Sequence, residues 1–67
     1  MQISARNDGV MTCDGRNIGT WYTDPGKITF YPAWEYESRL PIIEAESCFM
    51  IERRLGELMS EEQKTGA

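Results

Sequence analysis

The amino-acid sequence predicts an α+β fold: an antiparallel meander of three to four short strands packed on one C-terminal α-helix. Three observations carry that prediction. The first half alternates apolar and polar residues with the period of two that a half-buried strand requires. It is cut by short turn sequences, Asn7-Asp8-Gly9, Asp14-Gly15-Arg16-Asn17 and Asp24-Pro25-Gly26-Lys27, and connections so short join neighbouring strands antiparallel. The second half instead repeats its apolar residues at the spacing of an amphipathic helix.

Each element follows in order. Met1, Ile3 and Ala5 alternate with Gln2, Ser4 and Arg6 as a first strand, and Val10-Met11-Thr12-Cys13 is a second. Ile18-Gly19-Thr20-Trp21-Tyr22-Thr23 is a third, rich in β-forming residues. Proline presets φ at the second position of Asp24-Pro25-Gly26-Lys27 and glycine supplies positive φ at the third, as a type II turn requires. Ile28 to Tyr31 is the fourth strand, ended by Pro32, which has no N–H for a sheet ladder. The hairpin from Ile18 to Tyr31 is the firmest part of the pattern. The chain therefore reads as one domain, 1–67, with a β-meander over 1–32, an aromatic and acidic connection over 33–40, a helix over 41–63 and a frayed tail over 64–67.

The helix is expected to start at Pro41, whose missing N–H would be unpaired in a first turn anyway. At about 100° per residue, Ala45, Cys48, Ile51, Leu55, Leu58 and Met59 share the face toward the sheet, with Phe49 at its edge. Ile43 and Met50 lie off that stripe. Gly56 costs about 1 kcal/mol against alanine in mid-helix, which either a close approach to the sheet or a helix–helix contact would explain. Ile43, Met50 and Gly56 are thus candidate contacts of a homodimer.

Composition narrows the function. The 67 residues are 40% hydrophobic and 27% charged, ordinary globular proportions. No apolar run approaches the roughly 20 residues of a bilayer span, and the start of the chain lacks a basic region leading into an apolar one. No membrane role and a cytoplasmic location are expected. Seven basic against eleven acidic residues give a net charge of -4, which disfavours nucleic acid as a partner, since such binding neutralises phosphates. The same charge suits a basic protein surface. There is no histidine, so Cys-His and Ser-His nucleophile pairs are impossible, and a small sheet under one helix offers little concavity for a substrate. No catalytic, cofactor-binding or metal-ligating residue is assigned and no cofactor is implied; two cysteines without an imidazole do not make a zinc site. Cys13 and Cys48 are read as reduced and part-buried.

The aromatic residues carry the functional expectation. Neighbours on a strand point to opposite faces, so Trp21 and Tyr22 cannot both be core, nor can Phe30 and Tyr31. One helix covers one face. Trp21 and Tyr31 are therefore expected on the uncovered side, joined by Trp34, Glu35, Tyr36 and Glu37 of the connection as a compact partner-binding epitope. Aromatics of this kind anchor protein interfaces.

The run Ile18-Gly19-Thr20-Trp21-Tyr22, a turn, then Lys27-Ile28-Thr29-Phe30-Tyr31-Pro32 and an amphipathic helix resembles small early-region proteins of tailed phages, over Ile18 to about Leu58. The strands before Ile18 depart from that pattern. The resemblance implies a phage or prophage origin and a host-takeover or anti-defence role, anti-CRISPR proteins included, in which the chain acts stoichiometrically by plugging the surface of a host protein or complex.

Overall fold

The structure, a computed structural model, describes residues 2–65 and the side chains of residues 2–60. Met1, expected in the first strand, lies outside the described residues, as do Gly66 and Ala67 of the expected tail. The element order is β1 (Ile3–Ala5), β2 (Val10–Cys13), β3 (Arg16–Asp24), β4 (Lys27–Pro32), a 3-10 turn (Trp34–Tyr36), β5 (Ile43–Ala45) and α1 (Cys48–Thr65). The strands form one antiparallel sheet in the order β1-β2-β3-β4-β5. The fold is α+β, a meander with one C-terminal helix, and it contains five strands where three or four were expected.

The hairpins are tight. Cys13 pairs with Arg16, leaving only Asp14 and Gly15 between β2 and β3, at φ 51° and 83°. Two consecutive positive φ angles are the mark of a type I′ turn, whose twist matches that of the strands it joins. Arg16 and Asn17, expected in the turn, consequently begin β3. Pro25 and Gly26 connect Asp24 to Lys27 in the same economical way, with Gly26 at φ 84°.

The fifth strand corrects the expected helix boundary. The stretch from Pro41 to Ser47 is not helical, and α1 begins at Cys48. Ile43-Glu44-Ala45 has the period of two, and it pairs Ile43 with Phe30 and Ala45 with Ile28. Pro41 fixes a φ that extended chain accepts as readily as a first helical turn, so the proline did not discriminate. Ser47 starts the helix: its hydroxyl accepts the Met50 N–H at 3.3 Å, the usual cap of an otherwise unpaired donor. At the other end the helix continues through Lys64 and Thr65, two residues expected to fray.

Met11, Ile18, Phe30, Tyr36, Leu40, Ile51 and Leu55 are the buried apolar core. Among the described side chains of the helix Ile51 and Leu55 are fully buried, with Leu58 and Met59 packed against the core beside them. Of the expected helical stripe, Ala45 contributes from β5 instead, and Cys48 is half-buried. The helix packs against β1 and β5, the two edge strands, so it bridges the ends of a curled sheet. The Glu52 carboxylate accepts the Ala5 N–H at 2.8 Å, which blunts the β1 edge against pairing with another chain.

A bulge sets which residues face that core. Met11 pairs with Gly19 but Thr12 pairs with Asn17, so Ile18 is an extra residue on β3. Strict alternation would put Ile18 on the face of Thr20 and Tyr22. The bulge turns it inward, where it is fully buried. The Asn17 side chain accepts the Gly19 N–H at 2.9 Å, and the Ile18 carbonyl accepts the Ala33 N–H at 3.0 Å. That second bond ties the chain leaving β4 back onto β3.

Candidate functional site

Register assigns the aromatics to faces. Trp21 pairs with Phe30, and both lie on the side packed against the helix. Tyr22 pairs with Thr29 and Thr20 with Tyr31 on the opposite side. The two tyrosines therefore sit diagonally across β3 and β4. Their rings meet edge to face, with centroids 5.5 Å apart and planes at 71°, a favoured aromatic geometry.

This open face presents large side chains to solvent. Tyr22 is 57% exposed and Tyr31 43%. Thr20, Tyr22, Asp24 and Tyr31 line one shallow groove, and Tyr31 also lines a second of about 290 Å³ with Pro32, Glu37, Leu40, Pro41 and Ile42. Ile42 is 61% exposed. An aromatic-to-aliphatic strip thus runs from Tyr22 through Tyr31 to Ile42. Its charged neighbours are Asp24, Glu37 and the cross-strand pair of Lys27 with Glu44 at 3.4 Å.

The structure separates the residues expected to bind a partner. Tyr31 is on the open face as expected. Trp21 is not: its indole packs against the core, and its ring N–H donates to the Arg6 carbonyl at 2.9 Å. Tyr22 takes the exposed role: strict alternation from the buried Ile18 would put Tyr22 on the core side, and the bulge breaks that phase. Trp34 is 80% exposed, and Glu35 and Glu37 are also exposed. Tyr36, between them, is buried. In the 3-10 turn Tyr36 points inward with Leu40, four residues on, while the Arg39 guanidinium lies 4.9 Å above the Tyr36 ring. The Tyr36 side chain is the main cause that raises the pKa of the exposed Arg16 guanidinium above the ordinary arginine value. Tyr36 is a plug, so the four connection residues of the expected epitope lose one member. The spacing of Tyr36 and Leu40 was the available signal for it.

The expected dimer contact also divides. Ile43 belongs to β5, half-buried and packed against the core, not to the helix. Met50 is exposed on the first turn of α1, beside Phe49. At Gly56 a β-carbon would meet no heavy atom within 4 Å, so no close approach of helix to sheet explains that glycine. One of the three thus lies on a strand and two on the helix.

Cys13 and Cys48 are free and half-buried. Burial pushes both thiols up, with Asp14 adding to the effect at Cys13 and Glu52 at Cys48. A protonated thiol is a poor nucleophile, which fits packing more than chemistry. Among the described residues no three His, Cys, Asp or Glu side chains gather as a metal site, and no helix is long and apolar enough to cross a membrane.

Comparison with protein-family models, with curated proteins and with solved structures finds no match to this chain. The open face is therefore interpreted from its own chemistry.

Proposed function

We propose that the chain is a non-enzymatic protein-binding module whose contact surface is the open face of the sheet. One observation supports this reading above all: the Tyr22–Tyr31 pair and Ile42 stand exposed in a continuous strip on the side that the helix leaves uncovered. A domain of this size has little apolar surface to spare, and aromatic residues at solvent are typical anchors of interfaces. Trp34, with Glu35 and Glu37 beside it, extends the candidate surface past the end of β4.

The resemblance to early-region phage proteins supplies the kind of partner in this proposal. The chain would be a phage or prophage product acting in the host cytoplasm, binding a nucleic-acid-processing or defence complex of the anti-CRISPR-targeted kind at a fixed stoichiometry. The test is capture of host proteins on the tagged chain, run in parallel with a Tyr22→Ser/Ile42→Ser variant. A specific partner should be retained by the natural sequence and lost from the variant, with both showing the same circular dichroism. Equal capture by both would remove the open face from the interface.

A further inference from the structure

The open face is bordered by three carboxylates, Asp24, Glu37 and Glu44, and by one ammonium, Lys27. Asp24 lies two residues along β3 from Tyr22 on the same side of the strand, a rise of about 7 Å. Glu37 lines the groove at the far end, with Tyr31 and Ile42. Lys27 stands opposite Asp24 in the hairpin register and forms its ion pair with Glu44 of the edge strand β5, while neither Asp24 nor Glu37 is within ion-pair distance of a cation among the described residues. The strip is thus apolar along its length, and the charges that border it, three carboxylates against one ammonium, leave it net negative with a carboxylate at each end.

We infer that the strip receives an extended segment of the partner in which apolar side chains are flanked by lysine or arginine. This rests on the reading that the open face is the contact surface, and specifies its ligand. The groove from Tyr31 to Ile42 is shallow and is walled by Pro32, Leu40 and Pro41, which suits a narrow extended backbone better than a helix about 10 Å across. A second copy of the chain is a poor occupant. At a net charge of -4 it would bring like charge to Asp24 and Glu37, and like charges across an interface are penalised. A basic segment gains from both carboxylates, and the negative field speeds its encounter.

The test is selection of random dodecapeptides on the immobilised full chain, followed by titration of selected and control peptides into the isotopically labelled chain. Enriched peptides should combine basic and apolar residues. They should shift the amide resonances of Tyr22, Tyr31 and Ile42, and should lose affinity as salt rises. The Asp24→Asn/Glu37→Gln variant should fold normally and bind the same peptides about fivefold more weakly, as expected for two rim charges. Enrichment of neutral apolar peptides that bind the strip with no salt dependence overturns the charge rule and leaves the open face in place. Enrichment of acidic peptides, shifts confined to the Phe49–Met50 turn of the helix, or no enrichment overturns the inference entirely.

Discussion

The two faces of this sheet are built from the same strands and almost the same residue types, yet they are put to opposite uses. On the packed side Trp21 and Phe30 face each other across β3 and β4, buried or half-buried under the helix. On the open side Tyr22 and Tyr31 occupy neighbouring positions on those two strands, and both are exposed. A shift of one residue separates the two sets, because successive side chains alternate across a strand. The bulge at Ile18 fixes the phase: it sends an extra aliphatic side chain inward before Gly19 and leaves Tyr22 outside. The comparison teaches that exposure here follows from register, and register follows from one glycine and one inserted residue.

Gly19 offers the most forceful way to break that arrangement. A β-carbon there would fall against the carbonyl oxygen of Tyr31 and lie 2.6 Å from Cε1 of Phe30. Backbone cannot yield as a flexible side-chain end can, and the Phe30 ring is fully buried and fixed by its neighbours. Gly19→Ala should therefore cost about 3 kcal/mol or more, in the range of overpacked cores, and a domain this small has only a few kcal/mol of stability. Thermal or urea unfolding should show the variant largely unfolded at room temperature. A loss under about 1 kcal/mol would mean that Phe30 and the β3–β4 register are not locked as described.

Much of this fold was legible in the sequence, for reasons that can be named. Asp14-Gly15 and Pro25-Gly26 fixed two hairpins because few residue pairs adopt those backbone angles. Ile51 and Leu55 fixed the helix's inner face through spacing. Two features were hidden. The segment Ile43-Glu44-Ala45 is three residues long, too few to tell its alternation from one turn of a helix, and Pro41 fits two conformations. The bulge at Ile18 leaves no composition signal at all, since it depends on how β3 pairs with β2. The candidate site inherited that gap: Tyr31 and Trp34 were expected at the surface and are there, while Trp21 and Tyr36 were expected there and serve the core.

The 3-10 turn repeats the contrast on a smaller scale and sharpens it. Trp34 and Tyr36 are two residues apart, but one is 80% and the other 6% exposed. Tyr36→Ala removes a ring held among the buried core residues and beneath the Arg39 guanidinium. It should cost about 3 kcal/mol, as buried aromatics do. Trp34→Ala should shift stability by no more than about 0.5 kcal/mol. Parallel urea titrations check the pair. Comparable losses in the two variants would show that Trp34 packs down in solution, and would take it out of the proposed contact surface.

The smallest effect belongs to the open face itself. Tyr22→Ser deletes one half of an edge-to-face pair, a geometry worth about 0.5–1.5 kcal/mol beyond the area it buries. Much of that ring already lies in water, so little burial is forfeited, and serine is a somewhat poorer strand former than tyrosine. The expected cost is about 1 kcal/mol, read as a modest fall in the urea midpoint with an unchanged slope. The size of this loss bears directly on function. If it is that small, stability alone is a weak reason to keep a tyrosine facing solvent, and a partner remains the better one. If it approaches the cost of Tyr36→Ala, the pair is holding the sheet together from outside, and the physical motive for placing an interface there disappears.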